Sequence, residues 1–197
     1  MLGAGYLGSE IVAKIPRNWH IAKSIDDINR LNGIYDISEI WNFGCPTDDF
    51  EANFDRLIDT VELSRNCVKF CSENNVKLIY ASSWGAQYIH FTSGFEKLYG
   101  ALKLVNEFIV QRCPDSLILR IPRVYSYNKN KGIIKELKDG AYIGEPLEIR
   151  DFMTLGDFMQ EISKLDIASA SGVITLEPTR SCSVLKLIEY LQAPENF

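Results

Sequence analysis

A phenol and an ammonium stand four residues apart in Tyr99-Gly100-Ala101-Leu102-Lys103, a spacing that puts both on one face of a helix. A nearby cation favours the phenolate, lowers the tyrosine pKa and lets the group pass a proton to or from a carbonyl or alcohol near neutral pH. A hydroxyl that hydrogen-bonds the same oxygen would complete such a set. Ser82 and Ser83 are placed for this, at the end of the apolar run Val76 to Ser82, where ligands sit in open α/β sheets. Near the start, Gly3-Ala4-Gly5-Tyr6-Leu7-Gly8 carries glycines at the spacing that permits a tight turn, close backbone approach to a pyrophosphate and close packing of the next helix. The N-terminus of that helix would add free N–H groups and a favourable dipole. Each motif alone is common. In this order within one chain, they point to a dinucleotide loop serving proton-transfer chemistry.

The elements that must position these residues follow from periodicity. Residues 9–15 read as a helix opening from the glycine loop, with a strand within 19–25 and a short helix at 26–31. Short strands are predicted at 34–36 and 39–43, a long amphipathic helix at 50–73, a buried strand at 76–82, a helix at 95–112 and a strand at 116–120. Such alternation specifies a parallel sheet covered by helices on both faces. The predicted fold class is therefore α/β, a Rossmann-type doubly wound parallel sheet with a small C-terminal substrate lobe. The dinucleotide-binding domain is expected over 1–123 and the lobe over 124–197, interleaved with the end of the sheet. In the lobe the rhythm loosens to helix 131–138, a strand near 146–149, helix 155–164, strand 172–176 and helix 181–191. Only Met1 and Leu2 precede the glycines, so the first strand is expected to be very short.

Composition narrows the partners. The 197 residues suffice for one well-packed domain with a small appended lobe, and 46% hydrophobic with 24% charged residues is ordinary for a soluble protein. A net charge of −5 gives no support to nucleic-acid binding, and the lysines from Lys129 to Lys138 read as a solvated face. No apolar run reaches about 18 residues and the start has no basic n-region, so neither a membrane span nor a secretory signal is expected. The five cysteines form no CxxC pair. Cys67 and Cys71, four apart in a helix, read as small core residues, and with only His20 and His90 present no metal site is expected. Reduced thiols fit a cytoplasmic location. Asp26, eighteen positions after Gly8, could meet a free 2′-hydroxyl as in NAD; Lys23 and Ser24 could instead meet a 2′-phosphate as in NADP.

The motifs together resemble the extended short-chain dehydrogenase/reductases, the group of nucleotide-sugar epimerases, dehydratases and reductases, over nearly the whole chain. Tyr80-Ala81-Ser82-Ser83 is similar to the strand that ends in the family's catalytic Ser/Thr, here Ser83, and Tyr99 with Lys103 matches its YxxxK. Asp36-Ile37 resembles the pair near the adenine. Asn42-Phe43-Gly44-Cys45 falls where the family's fourth strand passes the cofactor, and Asn53 matches an asparagine of the next helix. Leu119-Arg120-Ile121-Pro122-Arg123-Val124-Tyr125 is similar to the segment near the nicotinamide, and Arg150-Asp151-Phe152-Met153 with Asp157 to the motif whose arginine pairs with the substrate diphosphate. The stretch from Gly172 to Leu191 resembles the family's closing strand and helix.

The resemblance implies NAD or NADP as cofactor, held by Gly3, Gly5, Tyr6, Leu7, Gly8, Asp26, Asp36, Ile37, Phe43, Gly44, Tyr99, Lys103 and Pro122, and a nucleotide sugar as substrate, met by Trp84, Arg123 and Arg150. It also implies a possible homodimer through helices 50–73 and 95–112. Departures are present too. Leu2 stands where the family's first glycine falls, Arg123 and Ser126 replace its usual asparagine and glycine, and sixteen positions separate Ser83 from Tyr99. Trp84-Gly85 occupies the place of the acidic pair that marks 4,6-dehydratases, which disfavours dehydration. The expected activity is 4-keto reduction or 4-epimerisation. The alternatives are a cofactor-binding module without catalysis and a reductase of a small non-sugar carbonyl. His90 and Cys45 read first as surface and packing residues.

Overall fold

β2 (Lys77–Ser83) is buried along nearly its whole length because a parallel strand lies on each side of it. β1 (Glu39–Asn42) pairs with it on one side and β3 (Ser116–Ile121) on the other, and β6 (Gly172–Thr175) adds to β3, giving the all-parallel order β1-β2-β3-β6. Leu2 extends this sheet beyond β1 by parallel bridges to Asn42 and to Ala22. These observations come from a computed structural model, which describes residues 1–3, 5–45, 55–87, 94–129 and 132–192.

From Leu2 the chain winds one way to Ala22 and then returns to lay β1 on the other side. That reversal makes a topological switch point between Leu2 and β1, with the carboxyl ends of all the parallel strands at one end of the sheet. Strands buried by helices on their faces are apolar without alternation, as Leu-Ile-Tyr-Ala in β2 and Leu-Ile-Leu in β3 are. Leu2, Ile40, Leu78, Tyr80 and Ile118 of the sheet share a core with Ile28 of α2 (Ile25–Asn32), with Cys67, Phe70 and Cys71 of α3 (Asp55–Asn74), and with Val110 of α4 (Gly94–Val110). α1 (Tyr6–Lys14) follows the glycine turn and buries Gly8 and Ile11. α2 starts at Ser24, whose hydroxyl accepts the Asp27 N–H at 3.3 Å, with Asp26 and Asp27 favourably placed in the first turn.

The chain divides into two compact units, Met1–Ile121 with Asp166–Thr175, and Pro122–Leu165 with Leu176–Phe197. In the second unit β5 (Ile149–Thr154) pairs in parallel with β4 (Val124–Tyr125) and antiparallel with β7 (Arg180–Ser183). Tyr125 stacks on Phe152 at 4.9 Å between centroids, over Ile134 of α5 (Gly132–Lys138) and Leu187 of α7 (Val184–Gln192). α6 (Leu155–Lys164) opens with a capping box in which Thr154 and Asp157 satisfy each other's backbone N–H groups. Among the described residues no helix is long and apolar enough to cross a membrane.

Several elements differ from expectation. The strand expected within 19–25 reduces to one bridge at Ala22, whose only sheet neighbour among the described residues is Leu2. Residues 34–36, expected as a strand, form an irregular link from α2 to β1. β4 and β7 had no periodic signal; Arg180-Ser181-Cys182-Ser183 is small and polar, and its extended form comes from pairing with β5, so the helix expected from 181 begins at Val184.

Candidate active site

The glycine turn is built by backbone contacts that no side chain would allow. Gly3 has φ +66°, and a Cβ on it would lie 2.4 Å from Gly44 Cα. Gly44 itself is held by its N–H, which donates to the buried Asn42 Oδ1 at 2.9 Å. A Cβ on Gly8 would meet the Gly3 carbonyl oxygen at 3.0 Å, so α1 begins close against the turn. Gly5 is the N-cap of α1, and open space lies on the side where its Cβ would project. Among the described residues no side chain caps this helix at Gly5, and its first turn holds no acidic residue, so the dipole at its start favours an anion. Tyr6 and Leu7 stand half-buried in that first turn.

Ser83 ends β2 at the same end of the sheet. Its Oγ accepts the Gly85 N–H at 3.2 Å and thereby starts the single 3₁₀ turn Trp84–Ala86. α4 lies directly on that turn, because a Cβ at Gly100 would fall 2.8 Å from the Gly85 carbonyl oxygen. Gly100, between Tyr99 and Lys103, thus sets their helix against the turn that Ser83 starts. Gly100→Ala is expected to push α4 off the turn and to lower stability by about 1–3 kcal/mol, as overpacking does. Urea unfolding checks it, and an unchanged midpoint would show the contact to be slack.

Lys103 is 3% exposed; its Nζ donates to the Ala81 carbonyl at 2.6 Å and lies 5.6 Å over the Tyr99 ring and 5.0 Å over the Tyr80 ring. It also hydrogen-bonds the thiol of Cys45, the residue after Gly44. Burial holds the Lys103 ammonium below its ordinary value, with Cys45 and Glu107 acting in the opposite sense. The Tyr99 phenol departs from expectation. Its pKa is raised well above the ordinary value, by burial first and then by Cys45, although the residue as a whole is only half-buried. The cation lies over the ring, and desolvation is the larger influence on the phenol. Tyr99 is therefore a protonated acid across neutral pH.

One charged group on α4 was not foreseen. Glu107, four residues beyond Lys103, is 1% exposed and accepts the Ser82 hydroxyl at 2.5 Å. Arg120 of β3 donates to the same carboxylate through Nε at 3.0 Å and Nη2 at 2.7 Å, and reaches Gln87 through Nη1 at 3.4 Å. A buried carboxylate thus ties the Tyr99 helix to two strands. The signal was present in sequence as an acidic residue continuing the Tyr99–Lys103 stripe.

Other expected residues fall as follows. Phe43 and Gly44 lie beside the glycine turn, and Trp84 is half-buried next to Ser83. Asp26 is exposed in the first turn of α2, where Lys23 N–H and Ser24 Oγ are engaged with Asp27. Asp36 and Ile37 are not brought to the glycine turn. They precede β1 and, with Met1, His20 and Glu39, line a cavity at the opposite, amino-terminal end of the sheet. A four-residue strand at about 3.3 Å per residue separates the two ends. In the second unit Pro122 is buried and Arg123 exposed, and Arg150 Nη2 donates to Glu148 at 2.6 Å. Asn53 and His90 lie outside the described residues.

No family model matches the chain, and no curated protein matches it in sequence. Solved structures do resemble it. A UDP-N-acetylglucosamine 4-epimerase from Bacillus cereus is 18% identical with a TM-score of 0.72, over 98% of this chain and 79% of that one. A UDP-glucose 4-epimerase from Thermotoga maritima, solved with UDP-glucose, is 17% identical with a TM-score of 0.74, over 98% and 80%. A dTDP-4-dehydrorhamnose reductase from Bacillus anthracis, in complex with NADP, is 20% identical with a TM-score of 0.73, over 100% and 79%. At these identities the likeness establishes the fold.

Proposed function

We propose that this chain is an NAD(P)-dependent enzyme that transfers hydride to or from a nucleotide sugar, by 4-keto reduction or 4-epimerisation. The observation that carries the reading is the gathering, at one end of the parallel sheet, of a glycine turn pressed against Gly44, a serine at a strand terminus, and a Tyr–Lys helix locked beside it by Gly100. The start of α1 and the open space at Gly5 fit a cofactor pyrophosphate, with Gly3, Gly5, Tyr6, Leu7 and Gly8 around it and Phe43 and Gly44 beside it. A nicotinamide supplies or accepts the hydride. Lys103 would hold its ribose, and Ser83 would orient the reacting oxygen. Tyr99 gives that oxygen its proton; a phenol held protonated suits the reductive direction.

Solved relatives by fold include proteins whose names specify UDP-sugar epimerases and a dTDP-sugar reductase, which supports a nucleotide diphosphate on the substrate. Within the second unit Arg123 and Arg150 are its proposed contacts; Arg150 would release Glu148 to pair bidentately with the diphosphate. NAD and NADP both remain compatible with Asp26, Lys23 and Ser24. Incubating the chain with NADH or NADPH and a panel of nucleotide 4-ketosugars, followed at the nicotinamide absorbance, tests the reading. Cofactor binding without turnover of any sugar would favour a non-catalytic cofactor-binding module. A sugar-independent reduction of small carbonyls, indifferent to Arg150→Ala, would favour the third reading.

α3 and α4 pack on each other and expose Ile58, Leu98, Val105 and Phe108, the last at 62%. We propose these helices as a homodimer face. Phe108→Glu is expected to convert a dimer to a monomer in sedimentation analysis; a wild-type chain that is monomeric at tens of micromolar would refute the dimer.

A further inference from the structure

Tyr99, Lys103 and Glu107 follow one another along α4 at intervals of one turn, and the last two are anchored on successive residues of β2. Lys103 Nζ donates to the Ala81 carbonyl at 2.6 Å, and Glu107 accepts the Ser82 hydroxyl at 2.5 Å. Ser82 and Arg120 are register partners across β2 and β3, and both donate to that one carboxylate. Ser83, which follows Ser82, starts the turn on which Gly100 rests. Glu107 therefore fastens the ends of two strands to α4, one turn beyond Lys103.

We propose that Glu107 is a positioning residue: by fastening Ser82 and Arg120 to α4 it holds the Lys103 ammonium over the Tyr99 ring and level with the end of β2. The role rests on reading Tyr99, Lys103 and Ser83 as the reacting set. Stability alone does not account for the arrangement. Glu107 is 1% exposed, and a pair of charges so buried commonly contributes no more than well-packed apolar side chains of similar volume. What apolar side chains cannot supply is a negative charge beside a buried cation.

Lys103 is 3% exposed, and its bond to Ala81 is to an uncharged carbonyl. Its titratable and charged neighbours are Cys45 from the segment after β1, Tyr80 from β2, Tyr99 and Glu107 from α4 and, behind Glu107, Arg120 from β3. Glu107 is the one carboxylate in this set, and it acts to keep the proton on Lys103 against burial. When Tyr99 gives its proton to the reacting oxygen, a phenolate is left behind. Lys103 stabilises that phenolate only while it stays charged and in place.

The test compares the wild-type full chain with Glu107→Gln, which keeps an acceptor for Ser82 but removes the charge, and with the double variant Glu107→Met, Arg120→Met. Carbon NMR of the lysine ε-methylene groups, with Lys103 assigned by its loss in Lys103→Arg, follows the titration. Lys103 is expected to lose its proton at lower pH in Glu107→Gln than in wild type. For the nucleotide 4-ketosugar, kcat should fall on the order of 10²-fold, as it does when reacting groups are slightly misplaced, with KM unchanged and the alkaline decline moved to lower pH. The double variant should regain the unfolding midpoint but not kcat. If Glu107→Gln does not fold, the double variant is titrated in its place, with the same shift expected. A wild-type Lys103 titration, or a kcat that returns with the midpoint in the double variant, would overturn the positioning role. The titration needs neither cofactor nor sugar. A wild-type chain that turns over no nucleotide sugar would therefore refute the proposed function, while the Lys103 titration still decides what Glu107 does.

Discussion

Tyr99→Phe is expected to lower turnover of the nucleotide 4-ketosugar by roughly 10²–10⁴-fold while leaving NAD(P)H affinity unchanged, the range that removing a positioned general acid produces. The substitution deletes one oxygen and keeps the ring under Lys103, so packing is preserved. Stopped-flow or steady-state measurement at the nicotinamide absorbance, with cofactor titration alongside, gives both numbers. The pH profile adds a sign. Burial raises Tyr99 and lowers Lys103, so on raising the pH Lys103 loses its proton first. Reduction should stay level through neutral pH and decline on the alkaline side, at a pH below that of an ordinary lysine. A Tyr99→Phe variant with wild-type turnover, or a profile that declines only in acid, would remove Tyr99 from the reaction.

Glu107→Ala is expected to lower the unfolding free energy by about 3–5 kcal/mol, because it leaves Arg120 charged and without its bidentate partner. The side chains are only 2% exposed for Glu107 and 20% for Arg120, so water cannot replace the lost contact at the carboxylate end. Ser82 loses its acceptor at the same time. The double variant Glu107→Met with Arg120→Met should recover most of that loss, since it removes both charges together. Chemical denaturation of the two singles and the double measures the coupling. A Glu107→Ala midpoint within experimental error of wild type would mean that the ion pair contributes little.

The sequence was most informative where burial imposes a pattern. β2, β3, α4 and α6 carry uninterrupted apolar runs or amphipathic stripes, and they form within a residue or two of where periodicity puts them. Gly3, Ser83, Tyr99 and Lys103 stand at the same end of the sheet because strand ends and helix starts follow from that pattern. What escaped depends on contacts between segments far apart in the chain. Nothing local in Gly44 announces that Gly3 presses on it, and nothing in Arg120 that it answers Glu107. The environment of Tyr99 escaped for a different reason. Sequence supplies the charge of Lys103 but not the dehydration around the phenol, and the latter sets the sign. Asp36 lies before β1, a position that a short acidic-apolar pair does not reveal, since it says nothing about which end of a strand it occupies.

Two of the contacts that define the candidate centre, Gly3 against Gly44 and Gly100 against Gly85, are main chain on main chain. Separations of that kind are fixed by hard atomic radii and cannot be tuned by a methylene at a time, as side-chain packing can. The gap between the glycine turn and the start of the Tyr99–Lys103 stripe therefore behaves as a constant during sequence drift. New preferences for one ligand over another must be acquired through residues that frame this gap, such as Trp84 and Cys45, and not through its width.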